Sequence, residues 1–135
     1  MPELQINYLA VGAAALTTVV IGVIWYSPIL FGGQWLEAHG YSIEQMRQSA
    51  GRNLIVSLFC YVVMATIMAV LFTYLGFSTL FHGALLGFLV WLGFLATLGM
   101  TAHLVAGKPL SIYLIDAGYQ LVYAIVMGTI IAAWR

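Results

Sequence analysis

Four apolar stretches follow one another along this chain, at residues 4–27, 52–75, 79–104 and 109–134, with almost nothing between them. Crossing roughly 30 Å of hydrocarbon takes about 20 apolar residues in a helix, and each stretch supplies them. A bilayer core holds no water to satisfy backbone N–H and C=O groups, so a spanning segment must close its own hydrogen bonds. Runs this long, without apolar and polar residues alternating, do so as helices rather than barrel strands. The expected fold is all-α: a single domain over residues 1–135, built as a transmembrane four-helix up-down bundle with a short polar, partly helical first loop at 28–51. Connections this short force neighbouring helices to run antiparallel.

Composition narrows the function. With 64% hydrophobic and 6% charged residues, the chain falls far from soluble domains, where about a quarter of residues are charged. Arg47, Arg52, Lys108 and Arg135 stand singly, which excludes nucleic acid as a partner, because neutralising phosphates needs clustered cations. A lone Cys60 cannot form an internal disulfide, a redox pair or a cysteine zinc site. The acidic start Met1-Pro2-Glu3 and the length of the apolar run after it read as a retained first span rather than a cleaved signal. Arg47 and Arg52 in the first loop and Lys108 in the third outnumber Arg135 at the far side, which predicts both termini outside.

Local signals mark the helix ends. Proline after Trp25-Tyr26-Ser27 stops the first span, with aromatics at headgroup level. Ser42-Ile43-Glu44-Gln45 has the form of a capping box and starts a helix near Ile43, which either runs unbroken through Gly51 or breaks there. Gly76-Phe77-Ser78 and Ala106-Gly107-Lys108-Pro109 turn the chain with glycine as cap, and Pro109 opens the last helix.

Asp116 lies seven positions after Pro109, about 10 Å along the fourth span. A carboxylate at that depth is costly and normally faces protein or water. Tyr113, Asp116, Gln120 and Tyr123 fall within an arc of about 80°, one polar stripe on an apolar cylinder. The third span carries Gly83, Gly87, Gly93, Thr97 and Thr101 on an arc of roughly 120°, with GxxxG spacing from Gly83 to Gly87. The second carries Asn53, Ser57, Cys60, Tyr61, Met64 and Met68 on one face, and the first adds Thr18, Gly22 and then Tyr26. In an antiparallel bundle Tyr26, Ser27, Asn53, Ser57, Thr97, Thr101, Tyr113, Asp116 and Gln120 share one leaflet. They form either a polar pocket opening toward the first loop, with Asp116 as ion or proton site, or buried glue that fixes helix packing. Gly22, Gly83, Gly87 and Gly93 are expected at close helix contacts.

Other constellations point to structure. His82 and His103 lie 21 residues apart, about 31 Å along one helix, so they cannot share a metal. His39 and His103 could meet but lack a carboxylate at ligand spacing, and interfacial roles are expected for the histidines. Trp25, Trp35 and Trp134 sit where an aromatic belt is expected, with Trp91 inside a span. No metal or cofactor is expected.

Asn7-Tyr8-Leu9-Ala10, the string Trp25-Tyr26-Ser27-Pro28-Ile29-Leu30-Phe31-Gly32 followed by Trp35, and Gly107-Lys108-Pro109-Leu110 leading to Ile115-Asp116-Ala117-Gly118-Tyr119 together resemble the domain of unknown function 1761 family of small bacterial membrane proteins. The resemblance covers nearly the whole chain. It implies a four-span integral membrane protein, here of the cytoplasmic (inner) membrane, with no assigned activity.

Two functions compete. One is a homo-oligomer handling a small solute or ion, transporter- or channel-like, with Asp116 as the protonatable or coordinating group and Tyr26, Asn53, Thr101 and Gln120 around it. The other is a non-catalytic membrane scaffold or accessory subunit, in which the polar stripe is structural. An enzyme is not expected, since no nucleophile and base pair, metal cluster or phosphate-cradling loop is present.

Overall fold

The computed structural model describes residues 5–134, which are all-α, with helices and no strand among them. Helix α1 (Tyr8–Trp25) leads to a short α2 (Gly32–His39), a long α3 (Ile43–Tyr74), then α4 (Leu80–Val90) running through a π-helical turn (Trp91–Leu95) into α5 (Ala96–Ala106), and finally α6 (Leu110–Ala133). Counting α4 to α5 as one rod, four helices are long and apolar enough to cross a membrane, which makes this an integral membrane protein. Met1-Pro2-Glu3, which entered the reading of the first span as retained, Leu4 at the start of that span, and Arg135, which entered the orientation argument, lie outside the described residues.

The ends form where the side chains predict. Ser42 accepts from the Gln45 N–H at 3.1 Å while the Gln45 side chain accepts from the Ser42 N–H at 2.9 Å, closing the capping box. From there α3 runs 32 residues through Gly51 without a break, about 48 Å of helix. Gly40, Gly76 and Gly107 adopt φ of 69°, 70° and 68°, the left-handed conformation that ends a helix and that side chains with a Cβ resist.

The core gathers on α6. Phe72, Met68, Met127 and Thr18 are its largest fully buried side chains. Along α4, a Cβ on Gly83 would meet the Gly128 carbonyl, and one on Gly87 the Ala124 carbonyl. These two glycines therefore make the expected close contact, and α6 of the same chain occupies it. Gly93 does not: it sits in the π-turn, and a Cβ there would meet nothing within 4 Å.

The π-turn also corrects the face assigned to the third span. An extra residue in one turn rotates everything after it by about 100° relative to a regular helix. Gly83 and Gly87 precede it and face α6, whereas Thr97 and Thr101 follow it and are exposed, with hydroxyls donating to carbonyls of their own helix. Gly99 takes the inward place instead, its absent Cβ position 3.4 Å from the Tyr113 ring.

Two clasps hold the helix ends together. The Asn7 side chain caps α1 by accepting from the N–H groups of Leu9 and Ala10, and its Nδ2 donates to the Trp134 carbonyl at the end of α6. At the other end Lys108 Nζ donates to the Ala38 carbonyl at 3.2 Å, placing a cation on the C-terminal turn of α2, where the helix dipole favours it.

A candidate site around Asp116

The corner after α1 sets the geometry. Ser27 contributes its backbone: its carbonyl accepts from Leu30 and Gly32 N–H, while Phe31 N–H returns to the Trp25 carbonyl. A Cβ at Gly32 would strike the Tyr26 carbonyl, so only glycine lets the chain fold back this tightly. Folding back brings Trp35 edge-on to Tyr26, ring centroids 5.9 Å apart.

Tyr26 then reaches α6, where its hydroxyl donates to Asp116 Oδ1 at 2.5 Å. The α6 backbone is gripped on both sides of that carboxylate. Trp25 Nε1 donates to the Ile115 carbonyl at 3.0 Å and Trp91 Nε1, from the π-turn, donates to the Ala117 carbonyl at 2.9 Å. Trp25 crosses over Gly118, whose absent Cβ would stand 3.1 Å from the indole.

Asp116 lines a cavity of about 630 Å³ between α1, α3 and α6. The cavity exists because α3 packs only with its second half: its buried residues are Ala65, Met68, Ala69 and Phe72, all beyond Tyr61. Its first half stands away from α6. Tyr26, Trp35, Asn53, Ser57, Tyr61, Tyr119, Gln120 and Tyr123 are among the lining residues, and none of the lining residues is Lys or Arg. Among the described residues the second carboxylate oxygen of Asp116, the Gln120 amide and the Ser57 hydroxyl have no protein hydrogen-bond partner, and none of them is buried away from solvent. Deeper in, Tyr119 donates to the Thr18 carbonyl at 2.9 Å, and the Tyr61 and Tyr119 hydroxyls lie 3.0 Å apart. With the Tyr119 proton committed to Thr18, Tyr61 is the donor in that pair.

The inner wall is closed by buried side chains. A second cavity of about 620 Å³ opens at the opposite end of the bundle, lined by Asn7, Ala10, Ala69, Phe72, Ile131 and Trp134 among others. From Val19 to Ala10, Tyr61 to Ala69 and Tyr123 to Ile131, each helix puts roughly 12–14 Å between the two cavities. Ala14, Ala65, Met68 and Met127 fill that septum, each 2% exposed or less.

Of the residues marked in the sequence, Tyr26, Asn53, Ser57, Asp116, Gln120 and Tyr123 meet at this cavity, joined by Gly22. Gly22 approaches Tyr119, whose ring lies 3.1 Å from its absent Cβ. Tyr113 does not line the cavity; its hydroxyl donates to the Ala96 carbonyl at 2.8 Å, tying α6 to α5. Ser27, Thr97 and Thr101 do not line it either. Cys60, on the same sequence face as Tyr61, is exposed. Tyr119 and Trp35 were missed as site residues: Tyr119 sits about 60° around the helix from Asp116, outside the stripe, and Trp35 reads as belt until the corner folds it inward. His39 stacks on Trp35 at 4.0 Å, while His103 packs against Tyr113 with its Nε2 shielded and unpartnered. No group of three or more metal-ligating side chains occurs among the described residues.

The family described as "Protein of unknown function (DUF1761)" matches residues 9–132. The chain belongs to that family. Within the match, the family resemblance gains a physical content: the string around Pro28 builds the corner that delivers Tyr26, and the string around Asp116 supplies the carboxylate and the glycine that Trp25 crosses. No curated protein and no solved structure matches the chain.

Proposed function

We propose that this membrane protein binds and passes a small solute or ion, with the Asp116 carboxylate as its protonatable or coordinating group and Tyr26 as the residue that orients it. One observation carries the reading. A purely structural polar cluster satisfies its members among themselves, whereas here Asp116, Gln120 and Ser57 keep hydrogen-bonding capacity turned toward a cavity. On this reading the protein is not an enzyme, resides in the inner membrane of a bacterium with both termini outside, and works as a homo-oligomer. The Gly83 and Gly87 face is taken by α6, so the association falls to other surfaces, of which the exposed outer face of α3 is the longest.

A scaffold role is the competing reading, and the grip of Trp25, Tyr26 and Trp91 on consecutive residues of α6 favours it. Infrared difference spectroscopy of the protein in lipid, with Asp116→Asn to assign the band, separates the two. A carboxyl that titrates and exchanges quickly with heavy water supports solute or ion handling; one that does neither supports the scaffold.

A further inference from the structure

The cavity wall has an unusual chemical balance. Asp116 is its one carboxylate, no lining residue is cationic, and Tyr26, Trp35, Tyr61, Tyr119 and Tyr123 surround it. Aromatic faces carry negative potential and attract cations, most of all weakly hydrated ones. Three tyrosine hydroxyls of the wall already donate within the protein, Tyr26 to Asp116, Tyr61 to Tyr119 and Tyr119 to the Thr18 carbonyl, so they have no proton left for an anion, while the Ser57 hydroxyl and the Gln120 amide keep theirs. What these three tyrosines offer a ligand is ring surface and oxygen lone pairs, both suited to a cation. The volume, about 630 Å³, lies in the range of pockets that hold small organic molecules, about 300–1,000 Å³.

The mouth adds a second constraint. Val23 on α1 and Leu54 on α3 both line the cavity and are 68% and 50% exposed, so the cavity reaches the side of the bundle as well as its end. A ligand with an apolar body fits such an opening. A lipid ammonium headgroup shares the cationic chemistry but brings a phosphate, for which the wall offers no Lys or Arg.

We propose that the ligand is a free organic monocation, an alkylated or aromatic ammonium with an apolar body, held by Asp116 and the aromatic wall. This rests on the reading of Asp116 as a ligand-binding carboxylate. Its test uses the full chain in nanodiscs of phosphatidylglycerol, titrated calorimetrically with benzyltrimethylammonium against empty discs. Neopentylbenzene, the uncharged carbon isostere, serves as competitor from the lipid phase.

Saturable binding that the isostere does not displace is the expected result, weakened at least about tenfold by Asp116→Asn, the loss of one charge contact, and about threefold or more by Trp35→Leu. The isostere comparison needs no variant, so a fold-defective Asp116→Asn does not spoil it. Absence of saturable binding, equal displacement by neopentylbenzene, or unchanged affinity in a folded Asp116→Asn overturns the proposal. Adding phosphatidylethanolamine to the discs is expected to leave the affinity unchanged; competition by that lipid assigns the cavity to a headgroup instead and overturns it too. Infrared exchange on the same samples keeps the two claims apart. A mobile, titrating Asp116 without cation binding removes only the organic ligand, whereas a locked carboxyl removes the functional reading beneath it.

Discussion

The Trp25 indole lies across Gly118, 3.1 Å from where a Cβ would stand, and donates to the Ile115 carbonyl one residue before Asp116. Gly118 is thus the notch through which the first helix locks onto the last. Gly118→Val fills the notch and displaces the indole, at a cost of about 1–3 kcal/mol from overpacking. Thermal unfolding in detergent reads the loss, and a shift in tryptophan emission reports the displaced ring.

Gly83 and Gly128 face each other so closely that a Cβ on either would strike the other's carbonyl. Gly83→Ala and Gly128→Ala are each expected to destabilise by about 1–3 kcal/mol or more. Gly12, in α1, has open space around its Cβ position. Gly12→Ala is expected to be neutral or to stabilise by about 0.5–1 kcal/mol. Equal effects at all three positions, in mixed-micelle denaturation, would remove the packing argument.

Tyr26→Phe deletes the donor to Asp116 and keeps the ring against Trp35 and Tyr119. The Asp116 infrared band is expected to shift, with a stability loss of order 1 kcal/mol. Tyr113→Phe is the control, since that hydroxyl serves the Ala96 carbonyl, and its spectrum is expected to leave the Asp116 band in place.

Lys108→Met removes the cation from the last turn of α2. The expected cost is small, about 0.3–1 kcal/mol. The diagnostic change is greater mobility of α2, read as faster hydrogen exchange across Gly32–His39 than across α6.

The bundle and the Asp116 stripe were legible because both rest on period and length. Charge is so sparse that each span stands out, and Asp116, Gln120 and Tyr123 are separated by helical spacings that survive folding unchanged. Thr97 and Thr101 went astray because a regular helix was projected through Trp91–Leu95, and the π-turn there has no residue signature comparable to a proline or a capping serine. Trp35 and Tyr119 were hidden for another reason. Their placement depends on a corner closed by backbone hydrogen bonds of Ser27 and by Gly32, and backbone bonds between non-regular residues leave no pattern in side-chain type. Thr97→Val and Thr101→Val, on this account, change stability by no more than about 0.5 kcal/mol, which equilibrium unfolding can check.

The 32-residue α3 is seated at one end and unsupported at the other. Ala65 is the last buried residue of α3 before the cavity, and Asn53, at its rim, stands about 18 Å away along the same rod. Such a rod is a lever with its fulcrum at Ala65. A tilt of about 5° moves the rim by roughly 1.6 Å over that length, so the seating of α3 at Ala65 bears on the bore of the cavity as its own wall does.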